Sequence, residues 1–137
     1  MKILYATRLF SGLETSFESG IWAPTGVPTI YKIIDELDKK HETRFIFSAK
    51  DNGDGYFSSW NYSKDKVILV DGLSQKIKVL TGASFYFSWL PRRVALFFRE
   101  IRQYTHIIVE TLRFKPDIMY CDHANVIVGA LLSRLQR

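Results

Sequence analysis

The sequence predicts an α/β domain in which helices cover both faces of a mainly parallel sheet. Short apolar segments alternate along the chain with longer segments in which apolar residues recur every three or four positions. The first three elements read strand, helix, strand, which implies a right-handed crossover between parallel strands. With 137 residues, the chain is long enough for one domain, residues 1–137, and too short for two.

The first part of the chain supplies two of the predicted parallel strands and the helix between them. Residues 2–7, KILYAT, form an apolar run typical of a strand that is buried on both faces. A helix is predicted next, because apolar residues recur at helical spacing at Val27, Ile30, Ile34 and Leu37. Pro28 suits its first turn, where a missing amide needs no partner. Residues 42–50, ETRFIFSAK, contain the second strand.

The second part of the chain continues the alternation. Residues 66–72, KVILVDG, predict a third strand, and residues 75–82, QKIKVLTG, a further short one. Residues 91–115 form the longest predicted helix, with an apolar stripe at Val94, Phe97, Phe98, Ile101, Ile108 and Leu112. A strand in residues 117–122, DIMYCD, and a helix in residues 125–135 follow. With that last strand as the fourth, we expect the doubly wound order 3-2-1-4.

The sequence places a candidate site where this strand order reverses. Ligands of open α/β sheets bind beyond the carboxyl ends of the strands at such a point. Two loops are expected to converge there, residues 9–26 and residues 121–125, CDHAN. The first loop far exceeds the roughly 2–6 residues usual between a strand and a helix. Its glycines, Gly12, Gly20 and Gly26, are too widely spaced for a dinucleotide or phosphate motif.

Two residues of these loops have a functional and a structural interpretation. Gly26 either lets an anionic group approach the free amides of the next helix or is a plain turn residue. His123 is either a general base or acceptor-positioning group beside Asp122, or an idle residue on a helix that Asp122 caps. The remaining histidines and Cys121 lack the spacing of metal ligands, so we predict no metal site.

Basic and aromatic residues concentrate in the last third of the chain. The net charge is +5, and most of it comes from residues 91–137, which hold eight basic and four acidic side chains. Residues 84–93, SFYFSWLPRR, run into an amphipathic basic helix. This combination is typical of contact with an anionic membrane surface, here through Phe85, Phe87, Trp89, Arg92 and Arg93. Alternatively, the aromatic residues belong to the core and the arginines to a solvated helix end.

The sequence lacks the segments that would direct the protein into or across a membrane. No stretch approaches the roughly 18 apolar residues of a membrane span, and the N-terminus lacks a signal peptide. The single cysteine excludes an internal disulfide. No nucleic-acid-binding module is recognisable, so we predict no nucleic-acid partner. We expect a cytoplasmic protein, peripheral at the inner face of the membrane if the basic aromatic surface binds lipid.

Two stretches of the chain resemble a known family. Residues 1–7, MKILYAT, the long glycine-containing loop and residues 25–37, TGVPTIYKIIDEL, resemble the start of the family-4 retaining glycosyltransferases of the GT-B fold. Residues 115–135, KPDIMYCDHANVIVGALLSRL, are similar to their later strand, loop and helix. The resemblance implies the Rossmann-like, three-layer N-terminal half of a GT-B enzyme, which binds the acceptor.

The resemblance also implies a reaction and roles for particular residues. Such an enzyme transfers a sugar from a nucleotide sugar to a glycan or lipid-linked acceptor, as in cell-surface polysaccharide synthesis. Thr25, Gly26 and Val27 would face the acceptor and the donor phosphates, and His123 would be the catalytic residue. No cofactor is implied, since the nucleotide sugar is a substrate.

The family's second domain, with its paired-glutamate donor site, has no counterpart in the sequence. We therefore expect the domain to be incomplete at its C-terminal end and inactive alone, with a C-terminal donor domain or a partner subunit supplying the rest. The alternative is a non-enzymatic α/β binding module that docks on a membrane surface or a partner protein. A third reading is a small nucleotide-binding domain with a different chemistry.

Overall fold

The computed structural model contains one sheet with helices packed on both faces. It describes residues 1–9, 12–26, 28–48, 66–68, 70–74, 77–80, 91–122 and 125–135. The elements are β1 (Lys2–Arg8), α1 (Glu14–Ser19), α2 (Pro28–Lys40), β2 (Glu42–Ser48), β3 (Lys66–Ile68), β4 (Ile77–Leu80), α3 (Arg92–Phe114), β5 (Ile118–Cys121) and α4 (Val126–Leu135). Helix α2 begins at Pro28, as its fixed backbone geometry predicts.

The sheet confirms the predicted α/β class. Its five described strands lie in the order β3-β4-β2-β1-β5. Strands β4, β2, β1 and β5 run parallel, and β3 pairs antiparallel with β4 at one edge. The chain leaves β1 toward β2 and later returns to the other side of β1 as β5. The strand order therefore reverses between β1 and β5.

The place next to β2 is occupied by β4 rather than by the predicted third strand. Among the described residues of 66–72, Lys66–Ile68 form the strand, and Asp71 leaves the sheet to bridge Ile21. Strand β4 suits an interior position because Ile77 and Val79 are buried in one core cluster and Leu80 in the other. The short apolar segment at 75–82 was thus the better candidate for a parallel strand.

Alternating side chains of β1 and β2 build a core on each face of the sheet. One core contains Tyr5, Phe45 and Phe47 together with Ile34 of α2. The opposite core contains residues of three strands and of helices α3 and α4, namely Leu4, Ala6, Ile46, Leu80, Ile107, Phe114, Val128 and Leu132. Burial on both faces explains why the sequences of these strands are continuous apolar runs.

Helix α3 packs mainly by a face different from its apolar stripe. Among its residues of described burial, Gln103, Ile107, Thr111 and Phe114 are buried, and Ile108 of the stripe packs partly buried against the same core. Five stripe residues are instead 40–61% exposed, namely Val94, Phe97, Phe98, Ile101 and Leu112. The Thr111 hydroxyl donates to the Ile107 carbonyl at 2.8 Å. A helical threonine that bonds its own backbone is readily buried, and apolar periodicity does not detect this.

Glu110 fastens α3 to two strands of the sheet. Its carboxylate accepts hydrogen bonds from Arg44 Nη1 at 2.9 Å and from Lys78 Nζ at 3.1 Å. Burial by itself raises the pKa of Glu110, but the hydrogen bonds and charges of Lys78 and Arg44 outweigh it and lower the pKa below its usual value. The Arg44 guanidinium also lies 4.5 Å from the centre of the Phe114 ring.

We predict that Glu110→Gln lowers the free energy of unfolding by about 1 kcal/mol near pH 7, because the two cations lose their common anion while solvent screens part of the loss. Urea unfolding measures the difference. Glu36→Gln is the control, since Glu36 pairs with Lys40 on the exposed surface of α2 and we expect little change there.

The contribution of Glu110 to the free energy of unfolding depends on pH in a definite direction. A carboxyl whose pKa is lowered by folding stabilises the folded state fully above its unfolded pKa, near 4.5, and loses that effect as the pH falls through the folded pKa. The difference between wild type and Glu110→Gln should therefore shrink on acidification below pH 4.5. A difference that stays constant on acidification would show that Glu110 does not act through its charge.

Candidate functional site

The carboxyl ends of β1 and β5 are neighbours, so the point of reversed strand order forms a crevice between them. Ala6 is paired with Cys121 in the parallel ladder. The amide of Asp122 donates to the Ala6 carbonyl at 3.3 Å. The segment after β5 thus begins directly beside the end of β1. We call this region the switch-point crevice.

The opening segment, residues 12–26, follows β1 and folds back on itself. The Thr25 amide donates to the Gly12 carbonyl at 2.9 Å, while Leu13 and Phe17 are buried in the core beneath. Gly12 has φ of +97°, and a Cβ atom there would lie 1.1 Å from the Thr25 carbonyl oxygen. Only glycine permits both this backbone conformation and this close approach.

The middle of the opening segment is attached to the rest of the domain. The Trp22 indole Nε1 donates to Asp35 Oδ1 of α2. The Trp22 amide donates to the Asp71 carbonyl at 2.8 Å, and the Asp71 amide donates to the Gly20 carbonyl at 2.7 Å. With the short helix α1 between its ends, the segment is a structured part of the domain.

Asp122 links the two sides of the crevice. Its Oδ2 accepts from the Arg8 amide at 2.9 Å and from Arg8 Nε at 3.3 Å. Its Oδ1 accepts from Nδ2 of the buried Asn125 at 2.9 Å. The Arg8 side chain is 38% exposed, so an anion that enters the crevice meets a guanidinium whose position is fixed by a carboxylate.

The Tyr5 phenol and the Cys121 thiol are protonated at neutral pH. Burial, followed by the neighbouring Tyr120 phenol, raises the pKa of Tyr5 to about 12. Burial and the nearby Asp122 carboxylate raise the pKa of Cys121 to about 11. Neither group is therefore an activated nucleophile. The Tyr5 and Tyr120 rings are stacked with centroids 4.7 Å apart, and Tyr120 remains half-exposed.

The structure describes only part of the predicted acceptor and phosphate loop. Thr25 and Gly26 are exposed and directly precede α2. Val27 and His123 lie outside the described residues, so their roles stay predictions. Asn125, rather than Asp122, is the residue immediately before α4.

The predicted membrane contact is likewise described in part. Phe85, Phe87 and Trp89 lie outside the described residues. Arg92 is the first residue of α3, and Arg93 after it is exposed.

Sequence reasoning missed two partners of Asp122. Arg8 ends an apolar strand, and Asn125 stands where a helix begins. Charged residues at strand ends and asparagines at helix starts are both common. Neither position therefore indicates a site residue unless the strand order that brings the two together is known.

Two kinds of feature are absent from the described residues. Those residues contain no group of three or more His, Cys, Asp or Glu side chains that could hold a metal ion. In the same ranges, no helix is both long and apolar enough to cross a bilayer. Comparison of the chain with known protein families, curated proteins and solved structures gave no match.

We predict that Asp122→Ala lowers the free energy of unfolding by about 2 kcal/mol, because it removes the common acceptor of the Arg8 and Asn125 donors. Hydrogen exchange at the Arg8 amide should accelerate as well. Asp117→Ala is the matched control, since its carboxylate also accepts an amide of β1, from Lys2 at 2.7 Å, but at an exposed site. Equal effects of the two variants would contradict a linking role for Asp122.

Proposed function

We propose that this chain is the acceptor-binding domain of a retaining glycosyltransferase of the GT-B type. The observation that supports it best is the switch-point crevice, where the Arg8 guanidinium is held by Asp122 beside the ends of β1 and β5. The stretches that resemble the family, residues 1–7 with 25–37 and residues 115–135, contribute both strands that flank this crevice. Crevices at such points are where open α/β sheets bind ligands.

The proposed reaction assigns a task to each side of the crevice. The acceptor hydroxyl oxygen bonds to the anomeric carbon of the sugar, and the bond from that carbon to the nucleotide diphosphate breaks. The diphosphate leaves as an anion, and the proton of the hydroxyl passes to an oxygen of that leaving diphosphate. In this proposal Thr25, Gly26 and Val27 face the phosphates, Arg8 adds a positive charge, and His123 lies at the acceptor hydroxyl.

The donor nucleotide would be held mainly by a second domain or a partner subunit. The isolated chain should then bind an acceptor without transferring sugar to it.

We predict that neutral oligosaccharides bind this chain more tightly than a nucleotide does. Amide chemical shifts of the labelled protein, titrated with maltotriose, chitotriose, mannotriose and UDP, measure this. An acceptor domain should respond to at least one oligosaccharide at Arg8, Thr25, Gly26 and Asn125, with UDP at least about tenfold weaker. No response at the crevice to any oligosaccharide would contradict the proposal, and tighter binding of UDP would favour the small nucleotide-binding domain.

The same titration tests His123. If it contacts the acceptor hydroxyl, His123→Ala should weaken binding of the responding oligosaccharide about tenfold, a loss of about 1.4 kcal/mol. His41→Ala, at the far end of α2, is the control and should leave the affinity unchanged. Equal affinities for both variants would remove His123 from the site.

A second candidate function is a membrane-docking module. The exposed apolar residues in the first half of α3 favour it. Val94, Phe97, Phe98 and Ile101 are all at least 40% exposed and follow the exposed Arg93. An amphipathic helix that exposes apolar residues beside basic ones suits the surface of an anionic bilayer. In this proposal the helix extends the predicted contact at Phe85, Phe87, Trp89 and Arg92.

We predict that Phe97→Ser reduces co-sedimentation of the protein with phosphatidylglycerol vesicles several-fold, because it removes apolar area inserted among the headgroups. Leu112→Ser is a closely matched control on the same helix, since Leu112 is 61% and Phe97 60% exposed. Leu112→Ser should pellet like wild type, and phosphatidylcholine vesicles should pellet neither. Unchanged sedimentation of Phe97→Ser would exclude this half of α3 from membrane contact.

A further inference from the structure

Two buried side chains on the α3 side of the sheet have polar atoms without a hydrogen-bond partner. They belong to Ser48, the last residue of β2, and to Gln103 of α3, which are 3% and 7% exposed. The atoms are Ser48 Oγ and Gln103 Nε2. A buried polar atom without a partner destabilises a fold, so nearly all such atoms in proteins are hydrogen-bonded. A bound molecule is one source of the missing partner.

Two further atoms of this kind lie elsewhere. Thr7 Oγ1 is on the opposite face of the sheet, because Thr7 is two residues after Tyr5 of the core on the α2 side. Asp38 Oδ1 belongs to helix α2, and the other oxygen of this carboxylate already accepts the Ser74 amide at 2.7 Å. Neither residue therefore belongs to the same site as the pair between β2 and α3.

Ser48 points toward α3 and lies beside Arg8. Side chains alternate along a strand, and Ile46, two residues before Ser48, belongs to the core that α3 and α4 cover. Ser48 is in register with Arg8 of β1 on one side and with Leu80 of β4 on the other. Neighbouring strands are about 4.8 Å apart. Ser48 therefore borders the switch-point crevice on the β2 side of Arg8.

Gln103 reaches the same end of the sheet. It is four residues before Ile107 of the core, so it lies on the face of α3 that meets the sheet. Glu110 sets the position of the helix along the sheet by binding Arg44 of β2. From this contact, Gln103 is about 10 Å back along α3, and Ser48 is about 13 Å forward along β2. Helix α3 connects two parallel strands and runs opposite to them, so both displacements lead to the carboxyl ends of the strands.

The charges around these two side chains do not favour an anion. The cation Arg8 is already paired with Asp122. Burial, followed by the charges of Glu100 and Asp122, raises the pKa of Tyr104 on α3. The negative charges of these two carboxylates therefore reach this part of the helix. An uncharged ligand group is favoured here over an anionic one.

We propose that Ser48 and Gln103 bind one hydroxyl group of the acceptor sugar, and we call the pair the hydroxyl site. The hydroxyl oxygen accepts from Gln103 Nε2, and its proton is donated to Ser48 Oγ, so both atoms gain a partner. A neutral hydroxyl needs no counter-ion, which suits two uncharged side chains. The inference rests on the proposed acceptor-binding function and names residues that would orient the acceptor.

The stability of the ligand-free protein tests whether the pair serves binding or the fold. Ser48→Ala and Gln103→Met each remove a buried atom that has no partner, so each should raise the urea midpoint of unfolding. Ser16→Ala is the matched control, since Ser16 is also buried but its Oγ accepts the Ala23 amide at 3.1 Å. This variant should lower the midpoint. Midpoints that stay unchanged or fall in Ser48→Ala and Gln103→Met would overturn the proposal.

The affinity for an oligosaccharide is the second measurement. Amide chemical shifts are titrated with maltotriose, chitotriose and mannotriose. Ser48→Ala and Gln103→Met should each weaken binding of the responding oligosaccharide about fivefold, because each loses one hydrogen bond to a neutral group. Ser133→Ala is the control and should leave the affinity unchanged, since its exposed hydroxyl on α4 donates to the Ala130 carbonyl at 2.9 Å.

The hydroxyl site and the acceptor-binding function fail in different ways. If an oligosaccharide binds at the crevice of the wild-type protein and both variants keep its affinity, the acceptor-binding function stands and the hydroxyl site is wrong. If none of the three oligosaccharides binds the wild-type protein, both are wrong. Failure of either variant to fold would also count against the hydroxyl site, because both variants are expected to be more stable than the wild type.

Discussion

The burial of β1 on both faces and along both edges is the constraint on which the rest of the structure depends. Tyr5 is paired with Phe45 on one side and Tyr120 on the other. Its neighbours Leu4 and Ala6 face the opposite core. A strand in this position leaves no polar surface free, so its ends are where side chains can meet solvent. The candidate site lies at its carboxyl end for that reason.

Much of this arrangement could be predicted from local patterns. Continuous apolar runs identify strands that are buried on both faces, and Pro28 marks a helix start correctly. The failures share a cause, because they depend on which polar groups find partners. Thr111 is buried since its hydroxyl bonds its own helix, and Asp71 leaves the sheet since the opening segment offers backbone partners. Periodicity of apolar residues contains no information about either partner.

The same distinction applies to the candidate site, where the neighbouring strands could be predicted and the side-chain contacts could not. The sequence predicted that the first strand and the strand before Asp122 are neighbours, which the pairing of Ala6 with Cys121 confirms. For the carboxylate next to those strand ends, Asp122, the sequence indicated only a place beside a candidate base or a role as a helix cap. Its contacts with Arg8 and Asn125 join residues more than a hundred positions apart or across a helix start. Such contacts become visible only once the chain is folded.

The closure of the opening segment has a thermodynamic consequence for any ligand that contacts it. Because the Thr25 amide already bonds to the Gly12 carbonyl, this segment is shaped by contacts within the chain. A ligand therefore has little backbone to order on arrival, and the entropy lost on association comes mainly from the ligand itself. Binding at this segment would therefore be opposed by less loss of chain entropy than binding at a loop that has to close around its ligand.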